Sequence, residues 1–188
     1  MAGPKMRVRS MTSERSAQPQ VVQPDGEALW FLGTFTRIKL DGEQTGGRFA
    51  VFEGLLPRGA APPLHSHPQD ETFYVLDGEI TAWVVDPELA DDSQLPAWVA
   101  QCAQRCGVGA MVFAPGGTPH CFRVETDTAR LLVISTPAGI EDYINALAEP
   151  AQWPWLQPPP DGPRVSPERI QAVEHELGIV RHGPPPPA

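Results

Sequence analysis

The sequence predicts an all-β fold, and two observations carry this prediction. Between residues 28 and 137, short runs rich in aromatic and β-branched residues alternate with turn signals. The 188 residues include 23 prolines and 17 glycines, a proportion typical of short strands joined by many turns or of loose chain ends. A chain of this length can bury a substantial core, so we expect one domain.

The N-terminal elements follow from local patterns. Residues 28–40 (ALWFLGTFTRIKL) predict one or two strands, because aromatic and β-branched residues recur along them. Residues 41–47 contain two turn signals, DG and TGG, and residues 48–56 (RFAVFEGLL) predict the next strand. Residues 1–20 lack the apolar run of a signal peptide or membrane span, and we expect a flexible tail over residues 1–24.

Residues 59–78 (GAAPPLHSHPQDETFYVLDG) concentrate candidate metal ligands. His65 and His67 share one face of an extended strand, roughly 7 Å apart, so both imidazoles can reach one ion at about 2.1 Å. On a straight strand Glu71 would lie roughly 13 Å beyond His67, so the chain must turn between them. We expect residues 68–70 (PQD) to end one strand and to let Glu71 begin an antiparallel neighbour.

A second stretch, residues 109–120 (GAMVFAPGGTPH), supplies another candidate ligand. A short apolar strand leads into a turn rich in proline and glycine, and His120 begins a further strand. The chain contains five histidines, and three of them fall in these two stretches. The candidate ligands of one metal ion are therefore His65, His67, Glu71 and His120.

The two stretches resemble the two sequence motifs of the cupin family. The first motif is Gly, five residues, His-x-His, three or four residues, Glu, six residues and Gly, and residues 59–78 fit every spacing. The second motif is Gly, five residues, Pro-x-Gly, two residues, His, three residues and Asn. Residues 109–120 fit this pattern, whereas Val124 stands where Asn is usual.

The resemblance implies a cupin double-stranded β-helix, or jelly-roll, barrel that holds a metal through three histidines and one glutamate. We expect the barrel over residues 25–150, with a short helix over residues 139–149 packed outside it. A Pro-rich linker is expected over residues 151–165. Residues 166–188 are expected to form a helix that Ser166 caps, followed by a disordered tail.

Composition restricts the partners. The net charge of −9 argues against nucleic acid and anionic membranes, because no excess of basic residues offsets repulsion from phosphates. A small-molecule substrate is the better expectation. Three cysteines without a spaced framework suit a reducing compartment, and we expect a cytoplasmic protein. Cys121 neighbours His120 and so faces the opposite side of its strand, where we expect it to pack.

Four aromatic residues are candidates for the wall of a substrate pocket. They are Trp30, Phe49, Phe73 and Phe122. Phe73 shares the parity of Glu71 along its strand, whereas Trp30 and Phe49 have the alternative of simply packing the core. Residues 86–105 are interpreted as an insertion that either fringes the pocket or forms a surface loop, with a short helix within residues 96–105.

The function predicted from this site is metal-dependent. Three imidazoles and a carboxylate suit one divalent ion of Fe, Mn, Ni, Cu or Zn per chain, with positions left for substrate or O2. Residues 45–59 and 131–143 are similar to quercetin 2,3-dioxygenase-like single-domain bacterial cupins. This implies a dioxygenase acting on an enolic, flavonol-like substrate, in which Glu71 accepts or orients the substrate proton. The alternatives are a metal-dependent isomerase, lyase or hydrolase, and a non-catalytic binding protein. A homodimer is expected from the pairing habit of the family and the apolar residues 28–40.

Overall fold

The computed structural model describes residues 17–24, 26–85, 101–151 and 165–185. Their strands are β1 Leu29–Phe31, β2 Thr34–Leu40, β3 Ala50–Pro57, β4 Leu64–Ser66, β5 Asp70–Asp77, β6 Ile80–Val84, β7 Gln104–Cys106, β8 Met111–Ala114, β9 His120–Val124, β10 Thr128–Thr136, β11 Glu149–Pro150 and β12 Val180–Gly183. The helices are α1 Gly42–Thr45, α2 Ile140–Leu147 and α3 Pro167–Leu177.

Two antiparallel sheets enclose one core. One sheet has the strand order β11-β1-β2-β3-β10-β5-β8, and the other has the order β12-β4-β9-β6-β7. Alternate residues of both sheets point inward and form a continuous apolar cluster, which includes Val75, Ile80, Val124 and Leu131. The period of two along each strand therefore directs alternate residues of both sheets into this core. The predicted all-β jelly-roll barrel is confirmed.

The turn at residues 68–70 is present, but the predicted pairing across it is wrong. We expected Glu71 to begin a strand that neighbours the strand of His65. Instead β4 pairs with β9 and β12, whereas β5 pairs with β8 and β10 in the other sheet. The turn carries the chain from one sheet to the other, so the ligands approach each other across the barrel.

The first strands agree with the patterns that predicted them, with one addition. Residues 28–40 form β1 and β2, and the strand predicted at residues 48–56 is β3. Between the two predicted turns lies the one-turn helix α1. Asp41 Oδ1 accepts a hydrogen bond from Gln44 N at 2.8 Å, and Asp41 N donates to Gln44 Oε1 at 3.0 Å. This capping box satisfies the first amides of the turn and explains why it is helical.

Both predicted helices outside the barrel are present. In α2, the residues at helical spacing Ile140, Ile144 and Leu147 are buried. In α3, Ser166 Oγ accepts a hydrogen bond from Arg169 N at 3.2 Å, as expected of an N-cap. No described helix is both long enough and apolar enough to cross a membrane.

The C-terminal tail departs from the prediction. We expected residues 181–188 to be disordered, because they are dominated by proline. Instead Arg181, His182 and Gly183 belong to β12, which pairs with the edge of β4. A short segment with little strand character is ordered here by a tertiary partner that lies more than a hundred residues earlier in the sequence.

Other expectations fall wholly or partly outside the described residues. Residues 1–16, 86–100, 152–164 and 186–188 lie outside them, and with them most of the predicted tail, insertion and linker. The short helix predicted within residues 96–105 does not reach its expected end, because β7 begins at Gln104 and pairs with β6.

Candidate metal centre

Three structural elements bring the four predicted ligands together. His65 lies on β4, His67 follows that strand directly, and His120 begins β9, where it is in register with His65. Glu71 faces them from β5 in the opposite sheet. One potential ligand atom from each of the four side chains lies within 4.8 Å of the others. Sequence reasoning thus identified a real cluster, although it assigned Glu71 to the wrong sheet.

Hydrogen bonds within the cluster centre on the carboxylate. Glu71 Oε2 lies 3.1 Å from His67 Nε2 and 2.9 Å from His120 Nε2. Two of the imidazoles also form hydrogen bonds with backbone carbonyl groups through Nδ1. His65 Nδ1 lies 2.9 Å from the Pro63 carbonyl oxygen, and His120 Nδ1 lies 2.8 Å from that of Thr118. A carbonyl can only accept, so Nδ1 carries a proton in both rings, and Nε2 is the nitrogen that can bind a metal in place of a proton.

Burial and mutual contact determine the charges in the cluster. Burial, together with the nearby His120, lowers the pKa of His65 to about 4, so this imidazole is neutral near pH 7. Burial would raise the pKa of Glu71, but hydrogen bonds from His120 and His67 outweigh it and hold that pKa well below its usual range. Burial also opposes charge on His120, whereas its hydrogen bond with Glu71 raises its pKa. An ionised carboxylate therefore lies among three imidazoles.

This arrangement fits a metal ion. A carboxylate oxygen and imidazole nitrogens are the donor types that first-row transition metals accept, at about 2.0–2.2 Å in the case of zinc. The ligand-atom separations are close to those within such a coordination shell. His67 Nδ1 is buried and has no hydrogen-bond partner among the described residues, so its ring keeps donor or acceptor capacity that the protein does not use.

A pair of turns fixes the loops that carry His67 and His120. Gly117 N donates to the carbonyl oxygen of His67 at 2.7 Å, and Gly116 N donates to Asp70 Oδ1 at 2.7 Å. A Cβ atom on Gly116 would lie 2.3 Å from the carbonyl oxygen of Pro68, closer than atoms can approach. The glycines of the second motif therefore allow its turn to lie directly against the turn of the first.

Two of the four predicted pocket aromatics border the cluster. Phe73 and Phe122 are buried, and their ring centroids are 5.4 Å apart in an edge-to-face arrangement. The Phe73 centroid lies 6.0 Å from that of His120. The Phe73 ring therefore places apolar surface beside the cluster, and Phe122 packs against Phe73.

The other two pocket candidates lie elsewhere in the sheet. Trp30 is buried on β1, and three strands separate β1 from the strand of Glu71. This position favours the alternative that Trp30 packs the fold. Phe49 immediately precedes β3 and is half-buried, with one strand between β3 and β5. A pocket role for Phe49 stays a prediction.

Sequence reasoning missed Ser135. This residue on β10 is in register with Glu71, is fully buried, and its Oγ has no hydrogen-bond partner among the described residues. Directly opposed residues of antiparallel strands share a face, with Cβ atoms about 4.5–5.5 Å apart. The sequence does single out Ser135. It is the polar residue in the row of alternate, inward-facing residues that begins with Ala129, Leu131 and Val133.

Cys121 lies on the other face of β9 from His120, as predicted. It packs with Leu64, Trp83 and Val85 in a separate buried cluster. Burial raises the pKa of its thiol to about 12, so it remains protonated and apolar in character. Its role is therefore packing, and the metal cluster has no thiolate.

Comparison with known proteins agrees with the fold. Residues 52–136 match the family model described as a cupin domain, which supports a cupin superfamily protein. It is 24% identical over 136 residues to quercetin 2,3-dioxygenase of Bacillus subtilis (strain 168). That alignment covers 71% of this chain but 36% of the relative, so this chain spans about a third of that protein's length.

Two solved structures have a similar fold. KdgF from a Halomonas species has a TM-score of 0.52 at 14% identity, and covers 66% of this chain and 99% of its own. An RmlC-like cupin from Shewanella frigidimarina has a TM-score of 0.51 at 15% identity, and covers 66% of this chain and 96% of its own. At these identities the likeness concerns the fold alone.

Proposed function

We propose that this protein is a metal-dependent dioxygenase that uses O2 and a small enolic substrate of the flavonol type. The observation that carries the proposal is the Glu71 carboxylate, which is buried against two imidazoles of a three-histidine cluster. The similarity to a quercetin 2,3-dioxygenase supports this choice of reaction. A divalent transition metal held by the four residues would supply Lewis-acid activation of an enol oxygen and a site for O2 chemistry.

Glu71 is the proton acceptor in this proposal. An enolic substrate must lose its proton, which requires a base within hydrogen-bond reach. His65, His67 and His120 cannot serve while their ring nitrogens bind metal or donate to backbone carbonyls. The carboxylate has two oxygens, so one can remain a ligand while the other takes the proton.

The surroundings of the cluster suit a flat, largely apolar substrate with a few oxygens. Phe73 and Phe122 offer ring surfaces on the inner side of the site. Ser135 places an unused hydroxyl on the same face as Glu71, where it can donate to a substrate oxygen. A pocket with apolar walls and a few placed polar groups is the usual design of a small-molecule site. A homodimer remains a prediction, which sedimentation would test.

Oxygen consumption tests the proposal directly. Protein loaded separately with Fe, Mn, Ni, Cu or Zn is incubated with a panel of flavonols and 1,3-dicarbonyl compounds in an oxygen electrode. We expect at least one metal and substrate to give O2 uptake that matches substrate loss. Substrate conversion without O2 uptake would instead indicate an isomerase, lyase or hydrolase, and binding without conversion a non-catalytic protein.

The variant Ser135→Ala, measured in the same assay, tests whether the Ser135 hydroxyl binds the substrate. Losing one buried hydrogen bond to the substrate should raise KM about tenfold, since such a bond contributes about 1–1.5 kcal/mol. Metal content should not change, because Ser135 is not a ligand. The matched control is Thr128→Ala, which removes a hydroxyl from the far end of the same strand. An unchanged KM in Ser135→Ala would exclude this hydroxyl from substrate binding.

A further inference from the structure

The strand that carries His65 depends on the C-terminal end of the chain. β4 has three residues and is in register with β9 at one position, where His65 opposes His120. On its other edge β12 is in register with Leu64, His65 and Ser66. Most of the strand pairing that holds β4 in its sheet therefore comes from β12, which follows α3. We call α3 and β12, residues 167–183, the C-terminal clasp.

The clasp also contacts the segment between the two histidine ligands. His182 Nε2 lies 2.9 Å from the hydroxyl oxygen of Ser66, and Ser66 stands between His65 and His67 in the chain. Ser66 is buried, so water does not readily replace this hydrogen bond. Gly178, at the end of α3, lies beside Pro68, because a Cβ atom added to this glycine would be 3.5 Å from Pro68 Cγ. The clasp is thus hydrogen-bonded to the residue before His67 and lies beside the residue after it.

A buried carboxylate anchors β12 to the two outer helices. Arg181 donates from Nε to Glu174 Oε2 at 2.9 Å and from Nη2 to Glu174 Oε1 at 2.6 Å. The hydroxyl of Tyr143 on α2 donates to the same Oε1 at 2.9 Å. Glu174 is only 6% exposed, so the paired guanidinium offsets the cost of burying its charge. These bonds fix the position of Arg181 opposite His65.

We propose that the C-terminal clasp is a positioning element of the metal centre. It holds β4 and the turn after it, so that His65 and His67 stay opposite Glu71. The clasp lies outside residues 52–136, the part of the chain that matches the cupin domain. The inference rests on the metal site proposed above but not on the reaction or its substrate.

The test measures affinity for Co²⁺ alone, from its visible absorption, in the full chain and in clasp variants. Loss of hydrogen bonds behind metal ligands typically lowers metal affinity about 10- to 100-fold. We expect that range for His182→Ala, for Ser66→Ala and for Arg181→Met, with a changed Co²⁺ spectrum. Arg181→Lys should lose less Co²⁺ affinity than Arg181→Met does. Because His182 and Ser66 act through one bond, the double variant should be little worse than either single variant.

The control is Arg105→Met, which makes the same change at an exposed arginine of β7 that is paired with Glu79 and lies outside the clasp. It should bind Co²⁺ as the unaltered protein does. Unchanged affinity and spectrum in the His182, Ser66 and Arg181 variants would overturn the proposed role of the clasp but not the proposal of a metal site. Failure of the unaltered protein to bind Co²⁺ would overturn both. A loss of thermal stability without any change in metal affinity would also contradict the proposal, because it would show a role in folding only.

Discussion

Replacing Glu71 by glutamine should remove most turnover while leaving a good part of the metal bound. Glutamine keeps the size and an oxygen donor, but it removes the negative charge and nearly all basicity. Loss of a general base typically lowers the rate about 10²- to 10⁴-fold. The three histidines remain, and two of them keep the carbonyl contacts that orient their rings. We therefore expect the effect mainly in kcat, with a smaller loss of metal.

The comparison requires metal content and turnover to be measured on the same preparation. Glu149→Gln is a suitable control, because it makes the same chemical change at an exposed position on β11. It should behave as the unaltered protein does. If Glu71→Gln kept normal turnover with normal metal content, Glu71 would be at most a ligand, and another group would have to accept the proton.

Replacing both His65 and His120 by alanine should abolish metal binding. These residues oppose each other on β4 and β9, and their ring centroids are 4.6 Å apart. Their loss leaves one imidazole and one carboxylate, too few protein ligands to close a transition-metal site. We expect about one metal per chain in the unaltered protein and a near-background amount in the double variant.

Thermal unfolding provides an independent measure of the same loss. A ligand that binds only the folded state adds about 2.7 kcal/mol of stability at a hundred times its dissociation constant. Added metal should therefore raise the Tm of the unaltered protein but not that of the double variant. The control is His175→Ala, an exposed histidine on α3, which should respond to metal normally. Full occupancy in the double variant would place the metal elsewhere.

The pair of histidines in the candidate metal site could be predicted from the sequence because their constraint is local. An alternation of two along a strand puts His65 and His67 on one face, whatever the rest of the chain does. The position of Glu71 was predicted less well. Residues 68–70 predict a turn, but a turn does not indicate whether the next strand joins the same sheet or the opposite one.

Features that depend on distant pairing could not be predicted in this way. The clasp strand β12 pairs with residues of β4 that lie 114 to 119 positions earlier, and its own composition resembles a disordered tail. Ser135 is visible as a polar residue in an apolar row, but its place beside Glu71 follows from the register of β10 on β5. Trp30 was a pocket candidate that lies far from the site in the sheet. Its aromatic character alone does not indicate how many strands will lie between it and the site.

The X-ray absorption spectrum of the metal-loaded protein tests the metal centre most directly, because it reports the ligands without requiring a substrate. We predict a first shell of nitrogen and oxygen donors at about 2.0–2.2 Å, with the multiple-scattering signature of about three imidazoles. That signature should disappear in the variant lacking His65 and His120. A shell that contains sulfur, or one of oxygen donors alone without imidazole, would contradict the assignment of His65, His67, Glu71 and His120 as the site.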